Sequence, residues 1–178
     1  MPKDRRFQLH LILTILVMVF IFWQSSLTAE LSTEESNRIV LMLADLLHAD
    51  VDLVSFVVRK GAHFAEYLVL GVCLWLTARD VLVRKLRRVP GSAEELQTSC
   101  VPVSAVPEPS ITEVFPNLSA WIPWAIGAFY AVTDEIHQYF VPGRSCELRD
   151  MLIDACGVAA GVLLCRFLSQ KAQRRGQL

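Results

Sequence analysis

The sequence lacks the marks of the common enzyme classes and of ordinary soluble domains. It has no HExxH pair, no nucleophile-elbow serine and no aspartate-rich motif of known type, so the familiar zinc-protease and serine-hydrolase routes have no footing. Its five cysteines (Cys73, Cys100, Cys146, Cys156 and Cys165) show neither paired nor metal-ligand spacing. Three lie in apolar runs, where a thiol behaves as a small hydrophobe, and a disulfide framework is not expected. The net charge is only −1, which leaves no basic surplus to attract a nucleic acid. Charged residues make up 20% and apolar residues 53%, too apolar for a soluble chain of this length. The 178 residues leave room for one domain, with a core over 7–168. No internal repeat is visible, which weakens an alternating-access transporter.

Long apolar runs are what the chain does have. A bilayer core about 30 Å thick takes roughly 17–25 residues of helix, and residues 7–23, 61–77, 121–139 and 151–168 qualify. The expected fold class is all-α integral membrane, with four transmembrane helices and an extra amphipathic helix between the first and second. The first run also resembles a secretory signal. Leu27 spoils the small-x-small cleavage pattern in Ser26-Leu27-Thr28-Ala29, so an uncleaved anchor is expected.

Lysine and arginine positions then orient the spans. Lys3, Arg5 and Arg6 precede the first; Arg79, Arg84, Lys85, Arg87 and Arg88 follow the second; Arg166, Lys171, Arg174 and Arg175 close the fourth. These are twelve of the seventeen Lys and Arg residues, and all fall on one side. Both termini of a multi-pass protein are therefore expected in the cytoplasm. Between the first two spans, Ser32 and Glu35 resemble a capping box opening a helix through Ile39, Val40, Leu43 and Leu47. Residues 90–116, broken by Pro102, Pro107 and Pro109, read as a cytoplasmic loop.

Ionisable residues inside a span are costly, and by default they mark a site or a helix-pairing device. At about 100° per residue, Lys60, His63, Glu66 and Tyr67 share one face of the second span. Asp134 and Gln138 share a face of the third with Gly127 and Ala131, and Glu135 is offset from them. Asp150 and Asp154 share a face of the fourth and continue into Gly157 and Gly161, a small-xxx-small pattern that lets a helix approach closely. With the spans oriented as above, all of these lie near the outer face, together with Arg144 in the Pro-Gly turn 141–144.

The stretches Arg59-Lys60-Gly61-Ala62-His63-Phe64-Ala65-Glu66-Tyr67 and Asp134-Glu135-Ile136-His137-Gln138-Tyr139-Phe140-Val141-Pro142-Gly143-Arg144, followed by Asp150, Gly157 and Gly161, resemble the VanZ family. Its members are bacterial multi-spanning membrane proteins named for a teicoplanin-resistance determinant. Asp154 stands where the family pattern more often has Asn. Glu147 replaces what is often a small hydroxyl residue. The resemblance implies a link to the cell envelope or to lipophilic glycopeptides, with antibiotic resistance as its namesake trait, and it supplies no reaction.

Three readings of the cluster follow. In the first, Lys60, His63, Glu66, Tyr67, Asp134, Glu135, Gln138, Arg144, Asp150 and Asp154 bind an envelope-lipid head group or a lipophilic glycopeptide, with Lys60 and Arg144 meeting anionic groups. In the second, an intramembrane hydrolase or transferase uses His63 as general base, oriented by Glu66 or Asp134. In that reading a hard divalent ion has Glu66, Asp134, Glu135 and Asp150 as possible ligands, although no metal or other cofactor is expected. In the third, the cluster is an interhelical polar network that fixes helix register.

Overall fold

A computed structural model describes residues 3–87 and 118–176. The Pro-rich segment 90–116 and Cys100 lie outside them. The described residues form five helices and no strand: α1 (Lys3–Ser25), α2 (Ala29–Leu47), α3 (Val51–Arg87), α4 (Leu118–Gln138) and α5 (Leu148–Gly176). The described cysteines, Cys73, Cys146, Cys156 and Cys165, are free thiols.

Local chemistry sets the helix ends. The Ser26 N–H donates to Phe22 O at 3.0 Å and the Leu27 N–H to Gln24 O at 3.2 Å, closing the last turn of α1. α2 begins at Ala29, behind Thr28 in extended conformation. Ser32 and Glu35 are therefore inside the helix, which corrects the expected capping box: an apolar-polar pattern locates a helix better than it locates the first turn. α2 stops at His48, whose left-handed backbone (φ 49°) lets its N–H reach back to Ala44 O and Asp45 O. Asp50 then opens α3, its Oδ1 accepting from the N–H of Asp52 (2.9 Å) and Leu53 (3.1 Å). The helix carrying the second predicted span thus starts ten residues before Gly61 and runs unbroken for 37 residues, about 55 Å.

α3 is the centre of the molecule and packs against all four of the other helices. Its Tyr67, Leu70, Leu74 and Trp75 are buried with Ile21, Ala131, Val158 and Val162. Side-chain pairs give the helix directions. His10 Nδ1 meets Asp80 Oδ2 at 2.8 Å and Thr14 Oγ1 meets Thr77 Oγ1 at 3.0 Å, so α1 runs antiparallel to α3. The Tyr130 hydroxyl donates to Met18 O (2.6 Å) and Ser25 contacts Asp134, so α4 runs parallel to α1. α5 returns alongside α3. There Gly157, Gly161 and Gly71 remove the side chains that would hold the backbones apart. A Cβ on Gly157 would stand 2.6 Å from Phe64 O, and one on Gly161 would strike Leu68 O and lie 2.9 Å from Val72 N. The glycine pair on α5 therefore serves packing within one chain.

The outward faces are apolar along their length. Ile12, Leu16, Val19 and Phe22 on α1, Ile122, Ile126 and Phe129 on α4, and Leu163, Leu164 and Phe167 on α5 are all exposed. Among the described residues, two helices are long and apolar enough to cross a membrane, over Arg5–Ser25 and Leu148–Ala172. The other two predicted spans lie on α3 and α4. α2 and the start of α3 form a hairpin held by Val40, Ala44 and Val54.

Candidate functional site

The helix directions bring the end of α1, the Lys60 region of α3, the end of α4 and the start of α5 to one end of the bundle. The His10–Asp80 pair marks the other. Lys60 and Asp80 on α3 are twenty residue steps apart, about 30 Å of helix, the thickness of a bilayer core. The predicted residues do converge, but they divide into two sets.

The first set lines an open polar cleft of about 410 Å³ and comprises Lys60, His63, Gln138, Arg144 and Asp150. Lys60 Nζ pairs with Asp150 Oδ2. Asp150 Oδ1 and His63 Nδ1 are both buried and without a hydrogen-bond partner. Neither Glu66 nor Asp134 therefore orients His63 through Nδ1. Arg59 also lines the cleft and forms no ion pair with a described residue. The second set is sealed beneath: Tyr67, Asp134, Glu135 and Asp154 are each no more than 2% exposed. Glu66 is half-buried and does not line the cleft.

The sealed set is partly fastened. Asp134 Oδ2 accepts from Ser25 Oγ at 2.8 Å and from Gln138 Nε2 at 3.3 Å. Glu135 Oε1 accepts the Glu147 N–H at 2.8 Å, tying the end of α4 to the approach to α5. Tyr67 Oη, Asp134 Oδ1 and Asp154 Oδ1 are buried without a partner. Among the described residues no three His, Cys, Asp or Glu side chains are placed to hold one metal ion. The four carboxylates of the metal reading thus do not meet as a ligand set.

Arg144 has a role its sequence position does not announce. Residues 141–144 form a tight turn, with Gly143 at φ 79° and the Arg144 N–H on Val141 O at 3.1 Å. That turn aims the guanidinium at the carbonyl end of α1. Nε donates to Leu27 O (2.9 Å), one terminal nitrogen to Gln138 Oε1 (3.1 Å) and the other to Gln24 O (3.4 Å). A cation placed there satisfies orphan carbonyls and opposes the negative end of the helix dipole. Burial, and then the neighbouring Arg59 charge, pull its pKa below the usual arginine value.

Two participants had no signal in the sequence: Ser25 and the Gln24 carbonyl lie at the end of a span whose pattern gave only its apolar run. Arg59 opens the first family-like stretch and Glu147 departs from the family pattern, but neither was assigned to the cluster; helical phase, about 100° from Lys60, was the available clue for Arg59.

A helical bundle whose lateral faces are apolar and whose buried carboxylates gather at one end defines the class: a helical protein with a membrane-like outer surface. Within it, the sequence profile of the VanZ/LLP1 family matches residues 10–169, and the chain belongs to that family. No curated protein and no solved structure matches it.

Proposed function

We propose that this protein crosses the bacterial cytoplasmic membrane four times with both termini inside, and that the polar cleft binds the anionic head group of an envelope lipid or a lipophilic glycopeptide. The apolar outer faces of α1, α4 and α5 support the crossing, because soluble proteins rarely expose continuous apolar patches of this extent. α3 reaches the same depth while carrying Lys60, His63 and Glu66 because its neighbours shield it from lipid. The concentration of Lys and Arg at the other end of the bundle supports the orientation. A reporter fused to the C-terminus is expected to be active only as a cytoplasmic fusion; activity in the periplasm would reverse the assignment.

One observation carries the binding reading: the cleft holds an unpaired guanidinium, Arg59, together with buried His63 Nδ1 and Asp150 Oδ1, which the protein leaves without hydrogen bonds, the nearest cation to Asp150 Oδ1 being Arg149 Nε at 3.9 Å. Buried polar atoms are ordinarily satisfied, and leaving one unmade costs about 1–3 kcal/mol, so a ligand that supplies the missing bonds gains that energy. Arg59 and Lys60 face the anionic group; His63 and Asp150 meet hydroxyl or amide groups. Replacing Arg59 by Gln removes a charge that supports no other helix. The expected result is a tenfold or greater loss of affinity for a polyprenyl phosphate or for teicoplanin, with thermal stability in detergent unchanged. Equal binding by wild type and Arg59→Gln, or no binding of either compound by wild type, removes the reading.

A specific observation also favours the structural reading for Asp134 of the sealed set and for Gln138 and Arg144 on the cleft wall. Ser25, Asp134, Gln138 and Arg144 form one hydrogen-bonded chain that fixes α1 against α4. The two readings therefore apply to different residues.

A further inference from the structure

At depths between the cleft and the basic end, α4 and α5 enclose a second groove of about 510 Å³, lined among others by Trp121, Trp124, Leu152, Ala159, Leu163 and Arg166. Arg166 is its one charged residue. From Leu152 to Arg166 the groove follows fourteen residues of α5, about 21 Å, more than one leaflet's half of a ~30 Å core. Gly161 abuts Leu68 and Val72 of α3, so Arg166 lies about 8 Å further toward the end that holds the His10–Asp80 pair. Trp121 and Trp124 pack edge to face on the groove wall, and the Trp124 indole N–H donates to Ala155 O at 3.3 Å, away from Arg166.

Arg166 forms no ion pair with any described residue, although the groove around it is apolar. Among the described side chains Asp80 is the acid at this end of the bundle, and His10 already engages it. Among the described side chains, a second copy of the chain would bring Arg166 more apolar and basic surface and no free acid. A lipid brings both halves of the match: a hydrocarbon tail for the groove and a phosphate for the guanidinium, in the bidentate geometry arginine favours.

We propose that the α4–α5 groove is a binding site for an anionic glycerophospholipid, with one acyl chain along Ala159 and Leu163 and its phosphate on Arg166. This rests on the membrane crossing proposed above and is independent of the polar cleft. The full-length protein in mild detergent is offered equal amounts of phosphatidylglycerol and phosphatidylcholine, and the bound lipid is read by native mass spectrometry. Wild type is expected to prefer phosphatidylglycerol about fivefold, equivalent to the ~1 kcal/mol that one basic residue contributes near an anionic surface. Arg166→Gln is expected to bring the ratio close to one. Lys171→Gln, which changes a basic residue beyond the groove lining, keeps the preference. Ala159→Trp fills the groove and removes both lipids. Three results each overturn the site: no preference in wild type, a preference that survives Arg166→Gln, or a dimer that added lipid does not dissociate. Failure of the crossing itself is read separately, as a chain that stays soluble without detergent.

Discussion

Gly161→Leu is expected to cost the protein its folded, monodisperse state in detergent, the largest effect of any single change considered. Gly161 is where α5 meets α3 most closely. A Cβ there strikes the Leu68 carbonyl and crowds the Val72 nitrogen, both of them backbone atoms of the central helix. Flexible side chains yield to an added methyl; a helix backbone yields only by moving as a whole. Ordinary overpacking costs about 1–3 kcal/mol, and this contact exceeds it because the whole α3–α5 interface must separate. That movement would also pull Asp150 away from Lys60. Gly61→Ala is the matched control. Nothing lies within 4 Å of a Cβ on Gly61, so alanine there is expected to raise stability by roughly 0.5–1 kcal/mol through helix propensity. Thermal unfolding followed by size-exclusion chromatography compares the two. Equal tolerance of both substitutions would mean that α3 and α5 do not pack as described.

The second large effect is at Arg144. Truncation to alanine is expected to destabilise the protein by about 1.5–3 kcal/mol, the range for hydrogen bonds to a charged group. The change leaves Leu27 O and Gln138 Oε1 without their donor, and it removes the positive charge from the carbonyl end of α1. Arg144→Lys keeps the charge and loses the fork, so about half of the stability should return. The measurement is the melting temperature of each variant in the same detergent. Wild-type melting in Arg144→Ala, accompanied by lost ligand binding, would show that the guanidinium serves the ligand and not α1. This bears on how ligand experiments are read: lost binding in an Arg144 variant reports on the α1 anchorage as well as on the cleft, whereas Arg59 probes the cleft alone.

Much of the architecture was legible in the sequence, for a physical reason. Apolar runs of bilayer length require helices, since only a helix satisfies its own backbone in hydrocarbon. The Lys and Arg clusters mark one end of every run. Helix phase correctly grouped Lys60 with His63, because residues sharing a helix face are fixed by the 3.6-residue turn, but it did not separate Asp150 at the cleft from Asp154 sealed one turn deeper. The small-xxx-small pattern likewise announced a close helix approach, though not which helix would make it. Thr28, immediately before α2, is also a residue type that starts helices, but the Ser32–Glu35 pattern outweighed it.

Phase specifies a direction around one helix and leaves open what lies in that direction. Asp134 points at Ser25 and Glu135 at the backbone of Glu147, contacts across 109 and 12 residues of chain. Their burial depends on α1 and on the approach to α5 closing over them. Arg144 stands beside a Pro-Gly turn in every reading of the sequence. Only the packing of α1 against α4 brings the Leu27 and Gln24 carbonyls within its reach and makes it a helix anchor. The division into an open cleft and a sealed network is likewise tertiary. The sequence by itself determined the helices, the depth at which the polar residues gather and the glycines that let α5 close on α3. Tertiary structure decided which polar atoms are satisfied and which are left facing a cavity, because that depends on the neighbours each atom meets once the helices pack.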